Sequence, residues 1–201
     1  MHATAVVATT SCKHLMANIG IVSLGSMGTS LAYSLSISGH NLFWASDGRS
    51  EKTKMNETLL ADSNILVSDV GNILDLSKKC EFIFCVGRVN IAEETVISLK
   101  DADYSGVLVD CNTLWDEVEE NRYYELLNDS QIQYVDSSLR GYPVKIGSPS
   151  DGLKRVMLLS GQKSNTVADL FSDGIWKTVI SENKVKSYNR WIAANAPDMD
   201  L

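Results

Sequence analysis

Residues 18–50 constrain the fold more than any other part of this 201-residue chain. An apolar run at 19–24 meets a short Gly-Ser-Met-Gly turn, a helical pattern follows and stops at Gly39, and a second apolar run leads into a polar turn. This succession predicts a strand, a glycine turn, a helix and a second strand. Glycine lets a backbone approach a pyrophosphate closely, and a helix N-terminus presents free N–H groups to it. The order therefore predicts a dinucleotide-binding βαβ unit.

The glycine motif departs from the usual G-x-G-x-x-G pattern at one position. Its three positions hold Ser23, Gly25 and Gly28, so a serine stands where the first glycine is expected. An imperfect motif also fits an ordinary βα turn in another kind of α/β protein. The spacing between the glycines and the second strand favours the dinucleotide interpretation, because it too matches the fingerprint.

Composition and charge are those of an ordinary globular domain. Hydrophobic residues make up 44% of the chain and charged residues 21%, and the net charge is -7. Without a basic stripe, nucleic-acid binding is not expected, and a cofactor phosphate would have to be held by local loop donors. No apolar run approaches the roughly 20 residues that span a bilayer. Residues 1–17 lack the features of a secretory signal and the arginines of a transit peptide, and we interpret them as a loose tail.

The cysteines indicate buried thiols in a reducing compartment. The chain has four, Cys12, Cys80, Cys85 and Cys111, with no C-x-x-C pair and only three histidines. No zinc or other metal site is therefore predicted. A cytoplasmic location follows from the same argument, because free thiols persist where disulfides are reduced.

The remainder of the chain alternates predicted helices and strands. The helices are expected at residues 50–62, 70–79, 91–99, 115–128 and 165–171. The strands are expected at residues 65–67, 81–86, 106–110, 131–135, 156–160 and 176–180. This alternation predicts an α/β fold, a doubly wound, mostly parallel Rossmann sheet with helices on both faces, over residues 18–180. Residues 181–201 are polar and are expected to form a tail or a short helix.

Several short segments in this range resemble one family. They are LGSMG at 24–28, GH at 39–40, SDGRS at 46–50, VDCNT at 109–113, VD at 135–136 with GYP at 141–143, and LLSG at 158–161. On these segments the chain resembles the NADP-binding domain of the 6-phosphogluconate dehydrogenase and 3-hydroxyisobutyrate dehydrogenase superfamily, the β-hydroxyacid dehydrogenases. The L-G-x-M-G form is the most specific of these features. In that family, Gly25, Ser26, Met27 and Gly28 would border the cofactor pyrophosphate.

The resemblance also implies a preference for NADP over NAD. Ser46 stands where NAD-using members place the acid that holds the ribose 2′-hydroxyl, and Arg49 and Ser50 follow it. Arginine offers a planar fork to a 2′-phosphate, which an acid would repel. Asp47 complicates this interpretation because it could still contact a ribose. The alternative for Arg49 is a solvated cation on a turn.

Three further loops are implied to surround the nicotinamide end and the substrate. The loop after the fourth strand, Gly87 and Arg88, and the loop after the fifth, Asn112 and Thr113, would touch the cofactor. Helix capping by Asn112 or Thr113 is an alternative that is compatible with such contact. The substrate loop corresponds to residues 139–143, where Arg140 could bind a carboxylate or lie on the surface, and Gly141 matches a family glycine.

No catalytic residue can be assigned. The family takes a lysine and a nearby asparagine from a helical domain that follows the Rossmann domain. Lys184, Lys186, Arg190 and Asn195 follow the last predicted strand, where that helix would begin, but none of them falls in the Lys-x-x-x-Asn spacing. An alternative is that they are solvated polar and charged residues of a tail. The implied activity is hydride transfer on a small hydroxy acid. The alternatives are a non-catalytic dinucleotide-binding protein (a redox sensor or a partner subunit) and a truncated pseudoenzyme. A homo-oligomer, or a separate chain that supplies the helical domain, remains open.

Overall fold

The computed structural model describes residues 16–87, 89–112, 117–146 and 153–182. The described strands are β1 (Asn18–Ile21), β2 (Asn41–Trp44), β3 (Val67–Asp69), β4 (Phe82–Cys85), β5 (Val107–Asp110), β6 (Gln133–Arg140), β7 (Val156–Ser160) and β8 (Lys177–Ile180). The described helices are α1 (Ser26–Ile37), α2 (Glu51–Asp62), α3 (Ile73–Lys79), α4 (Val89–Asp101), α5 (Glu117–Leu127) and α6 (Ser164–Asp169).

The strands form one sheet in the order β3-β2-β1-β4-β5-β6-β7-β8. All neighbouring pairs are parallel except β6 and β7, which are antiparallel with Asp136 opposite Ser160 and Arg140 opposite Val156. The predicted fold is thus confirmed: an α/β, doubly wound, mostly parallel Rossmann sheet. Parallel strands need crossover connections, and the alternating helices supply them.

Two apolar layers, one on each face of the sheet, confirm that helices cover both sides. One layer joins Ile19 and Phe84 of the sheet to Leu31 of α1 and Val167 of α6. The other layer includes Leu76 of α3, Val96 of α4 and Tyr123 of α5. Strands that are buried on both faces read as nearly continuous apolar runs, which is why β4 and β5 were visible in the sequence.

Several elements differ in their bounds from the expectation (β3, expected at residues 65–67, is Val67–Asp69, for example), and the differences at β1 and β6 bear on the loops described below. β1 ends at Ile21, so the last part of the apolar run at 19–24 already belongs to the turn. β6 starts later and continues to Arg140, because β7 pairs along its second half. Arg140 is therefore the last residue of a strand, whereas the sequence predicted it within a loop.

Candidate functional site

The strand order reverses between β1 and β4. β2 and β3 lie on one side of β1, and β4 and β5 lie on the other. The loops that leave β1 and β4 consequently turn to opposite faces and leave a crevice at the carboxyl edge. The two strand ends are held together there, since the Val22 N–H donates to the Phe84 carbonyl at 3.0 Å. Ligands of open α/β sheets bind at such a point.

The glycine turn opens this crevice and starts α1. Gly25 is the N-cap of α1, and a methyl group built on it would meet none of the described residues within 4 Å. The first backbone bond of the helix runs from the Thr29 N–H to the Gly25 carbonyl at 2.8 Å. Among the described residues, nothing accepts a hydrogen bond from the N–H groups of Ser26, Met27 or Gly28. The N-terminus of α1 therefore offers unpaired donors and the positive end of the helix dipole to an anion.

Gly28 lets α1 lie close to the end of β1. A methyl group at this position would collide with the Ser23 carbonyl oxygen and would lie 3.3 Å from Val86 Cγ1. The third glycine of the motif is thus required by helix–strand packing. The turn is braced from two helices, because Thr29 Oγ1 and Asn56 Nδ2 donate to the Leu24 carbonyl at 3.0 Å and 2.6 Å.

The predicted 2′-phosphate residues follow β2, on one side of the glycine turn. Arg49 Nε donates to the Val22 carbonyl at 3.2 Å, which turns this side chain back toward the crevice. Within the described parts of the chain, no carboxylate pairs with the Arg49 guanidinium. Ser50 caps α2 by accepting from the Thr53 N–H at 3.3 Å, and the half-buried Ser46 accepts from the Arg49 N–H through its carbonyl at 3.0 Å.

Asp47 lies against the loop after β3. Its backbone N–H donates to the Gly71 carbonyl at 2.8 Å. Its carboxylate oxygens lie 3.8 Å from where a Gly71 side chain would begin. Gly71 has a φ of +81°, a left-handed conformation that favours glycine. The carboxylate is therefore at the β3 side of the β2 loop.

On the other side of the glycine turn, Asn112 links the ends of β4 and β5. Its Oδ1 accepts from the Gly87 N–H at 2.7 Å, and its Nδ2 donates to Asp110 Oδ1 at 2.6 Å. The same nitrogen lies 3.4 Å from the Cys85 carbonyl and from Cys85 Sγ. Asn112 is 3% exposed, whereas Gly87 is exposed. Arg88 and Thr113, which were predicted to contact the cofactor together with Gly87 and Asn112, lie outside the described residues.

A buried polar cluster beneath this loop was missed in the sequence. Asp110 and Asp136 are adjacent in the sheet register and almost inaccessible, and the Tyr134 hydroxyl lies 3.4 Å from Asp110 Oδ2. Burial, and secondly the Asp110 carboxylate, raise the pKa of Tyr134 and of Tyr123 well above the ordinary value. The sequence feature that could have indicated this cluster is an aspartate directly after the apolar residues of each of two neighbouring strands, β5 and β6.

The predicted substrate residues stand at the top of β6. Gly141 has a φ of +114°, and a methyl group on it would lie 2.7 Å from the Lys154 carbonyl, so a glycine is needed here. The next residues turn toward α1, where the Val144 N–H donates to Ser30 Oγ at 3.2 Å. Arg155, only 6% exposed, holds this segment through an Nε bond of 2.9 Å to the Tyr142 carbonyl.

A cleft of about 630 Å³ lies between this segment, α1 and α2. Its described lining includes Ser26, Leu59, Tyr142 and Leu153. Ser26 is the member of the predicted cofactor set that reaches it, and Arg140 is not part of its described lining. The cleft thus adjoins the N-terminus of α1 but does not collect the predicted substrate residues.

Two further properties concern the described residues. They contain no cluster of three histidine, cysteine or acidic side chains placed to hold a metal ion. None of their helices combines the length and the apolar character needed to cross a membrane.

No family model and no curated protein matches the sequence. Solved structures do match. One is a conserved protein of unknown function described as similar to 3-hydroxyacid dehydrogenases, with a TM-score of 0.63, 16% identity, and 88% of this chain and 63% of that chain covered. Another is an imine reductase variant from Myxococcus stipitatus in complex with NAD+, with a TM-score of 0.65, 16% identity, and coverage of 90% and 59%. A reductive aminase from Aspergillus terreus in complex with NADPH and ethyl levulinate gives a TM-score of 0.65, 16% identity, and coverage of 89% and 59%.

At these identities the likeness establishes the fold. The chain has the fold of the Rossmann portion of 3-hydroxyacid dehydrogenase-like and imine reductase structures, as the sequence resemblance predicted. It spans about 60% of the length of these structures, with 59% to 63% of each matched chain covered.

Proposed function

We propose that this chain binds a nicotinamide dinucleotide across the crevice between β1 and β4. The observation that carries the proposal is the N-terminus of α1. Three backbone N–H groups without described partners lie next to Gly25, where none of the described side chains fills the space. They stand at the point where the strand order reverses. A pyrophosphate is the ligand group that this combination suits, because it is anionic and must approach the backbone closely.

NADP is proposed in preference to NAD. The matched structures hold NAD+ in one case and NADPH in another, so they do not distinguish the two cofactors. Arg49 is oriented by the Val22 carbonyl and has no described acidic partner, and Ser46 replaces the acid that would repel a phosphate. A guanidinium gives a phosphate charge-assisted hydrogen bonds that a ribose hydroxyl cannot match.

The proposed reaction is hydride transfer on a small hydroxy acid or its oxo form, as the family resemblance implies. The bound nicotinamide would supply the hydride acceptor or donor. Arg140, at the end of β6, would be the anchor for a substrate carboxylate. The catalytic proton donor is unassigned, since Lys184, Lys186 and Arg190 lie outside the described residues. Dinucleotide binding without turnover is the alternative outcome of the same assays.

The test places a negative charge where the pyrophosphate is proposed to bind. Ser26→Asp introduces a carboxylate in the first turn of α1, which favours the helix but repels a phosphate. Ser26→Asn is the matched neutral control of nearly equal shape. In fluorescence titrations with NADPH, we expect the aspartate variant to bind at least about tenfold more weakly than the asparagine variant, from the loss of roughly 1.4 kcal/mol or more. Absence of NADPH binding by the parent chain, or equal affinities of the two variants, would contradict the proposal.

A further inference from the structure

The Asn112 side chain is fully engaged in joining the loops after β4 and β5. Its oxygen accepts from the Gly87 N–H at 2.7 Å, and its nitrogen bonds to Asp110 at 2.6 Å. Its own backbone N–H also donates to Asp110 Oδ1 at 3.0 Å. With 3% of its surface exposed, this amide has little capacity left for a ligand. Its action must pass through the residues that it holds.

The residue at the far end of this link forms part of the crevice wall. Gly87 is exposed at the end of β4, and a methyl group on it would lie 3.1 Å from Ile91 Cδ1 in the first turn of α4. Its neighbour Val86 lies 3.3 Å from where a Gly28 side chain would begin, so the two loops face each other closely. A shift of Gly87 would therefore change the width of the crevice on the β4 side.

The strand order separates this wall from the proposed 2′-phosphate site. In the order β2-β1-β4-β5, Arg49 follows β2, whereas Gly87 and Asn112 follow β4 and β5. A dinucleotide that lies across the β1 turn must place its two halves on opposite sides of it. With the 2′-phosphate at Arg49, the nicotinamide half faces Gly87.

We infer that Asn112 is a positioning residue for the nicotinamide half of the dinucleotide, acting through the Gly87 backbone. The inference rests on the proposed function. The Gly87–Asn112 bond connects residues that lie 25 positions apart and holds an otherwise exposed backbone segment against a buried anchor. Loss of the bond frees the wall of the crevice on the nicotinamide side and leaves the α1 turn and the Arg49 side intact.

Two ligands distinguish this role from a general loss of structure. NADPH occupies both sides of the crevice, whereas adenosine 2′,5′-bisphosphate carries the 2′-phosphate and adenosine without the nicotinamide half. Titrations of both ligands are made with the parent chain, Asn112→Ala, Asn112→Ser and Asn165→Ala. Serine is too short to reach Gly87, while the backbone N–H at position 112 can still donate to Asp110, so the serine variant removes the cross-loop bond and leaves a smaller gap than the alanine variant. Asn165, exposed on α6, is the matched asparagine control.

We expect Asn112→Ala and Asn112→Ser to lower the NADPH affinity about tenfold while adenosine 2′,5′-bisphosphate affinity changes less than about twofold. Asn165→Ala should bind both ligands like the parent chain. Equal losses for both ligands in the serine variant, or unchanged NADPH binding, would overturn the inference while leaving dinucleotide binding in place. If the alanine variant binds neither ligand because it does not fold, the two affinities of the serine variant test the inference. A parent chain that binds neither ligand would instead refute the proposed function, and the inference with it.

Discussion

In the proposed site, Arg49 is the residue expected to favour NADP over NAD. Its Nε is occupied by the Val22 carbonyl at 3.2 Å, which fixes the direction of the side chain. The terminal nitrogens make no ion pair within the described parts of the chain. A preorganised guanidinium loses less conformational freedom on binding a phosphate than a mobile one, so more of the contact appears as affinity.

Replacing Arg49 by alanine should therefore weaken NADPH binding and spare NADH binding. A hydrogen bond to a charged group contributes roughly 1.5–3 kcal/mol, which corresponds to about a tenfold or greater loss of NADPH affinity. Arg122→Ala is the matched control, because it removes the same charge from an exposed side chain of α5 that pairs with Glu93 at 3.3 Å. Fluorescence titrations of both cofactors measure the effect. If the parent chain binds NADPH and NADH equally well, Arg49 does not select the cofactor.

At the scale of single residues, the sequence located positions better than contacts. The positions of Gly25, Gly28 and Arg49 at the carboxyl edge of the sheet could be predicted, because the end of a strand can be recognised from neighbouring residues alone. The Asn112 bonds could not be predicted, since they depend on the register of β4 against β5 and join residues 25 apart. Arg140 was predicted in a loop but ends β6 for a similar reason, because the pairing with β7 extends β6 that far.

Among the elements, α1 and the turn before it depend on two glycines for different reasons. A side chain at position 28 would collide with the Ser23 carbonyl and crowd Val86, whereas a methyl group on Gly25 would meet none of the described residues. Gly25 also has ordinary extended angles, with φ of -62° and ψ of -179°. Gly28 thus serves the packing of helix on strand, and Gly25 leaves room for a ligand.

Alanine at these two positions should separate stability from binding. Gly28→Ala is expected to lower the free energy of unfolding by about 1–3 kcal/mol, since a backbone carbonyl cannot move aside as a side chain can. Gly25→Ala should change it by no more than about 0.5 kcal/mol but should weaken NADPH binding, because the methyl group enters the open space beside the free N–H groups. Urea unfolding and NADPH titration of both variants give the comparison. Equal stabilities would contradict the packing argument.

The helices show where sequence patterns mislead about burial. α2 carries Met55 and Leu59 four positions apart, a spacing that predicts a helix, and the helix is present. Both side chains are exposed, at 67% and 51%, and Leu60 is the buried residue of α2. The spacing of apolar residues predicts that a helix forms, but which side faces the sheet depends on how the connecting turns place it.

For the whole molecule, the alternation of elements was sufficient to predict a doubly wound sheet and the positions of its final strands, but not the direction of β7. Short crossover connections and their fixed hand leave few arrangements for β1 to β6. The sequence does not indicate that β7 turns back antiparallel to the second half of β6 and is followed by a parallel β8. That arrangement depends on Gly141, whose φ of +114° permits the turn, and on Arg155, which holds the returning segment.

The folded molecule also buries several weak acids in their protonated forms, and this predicts how its stability depends on pH. Burial raises the pKa of Cys80 from its usual 9.0 to about 12. Burial likewise raises the pKa values of Tyr104, Tyr123 and Tyr134 above their usual 10.0. Between about pH 9 and 12 the unfolded chain therefore loses protons that the folded chain keeps. The unfolded state binds fewer protons in this range, so the free energy of unfolding must fall as pH rises.

We expect the free energy of unfolding from urea titrations to be nearly constant from pH 7 to 8.5 and to fall steadily above pH 9, by at most about 1.4 kcal/mol per pH unit for each group. Cys80→Ala should reduce the slope without abolishing it, because the three tyrosines remain. The native Cys80 thiol should also react slowly with a thiol reagent at pH 8, since the thiolate is the nucleophile and burial suppresses it. The opposite results would be a free energy of unfolding that does not change between pH 8.5 and 10.5, or rapid labelling of Cys80 in the native state. Either result would mean that these groups are solvated, and the apolar layer that covers Cys80 and Tyr104 would then be wrong.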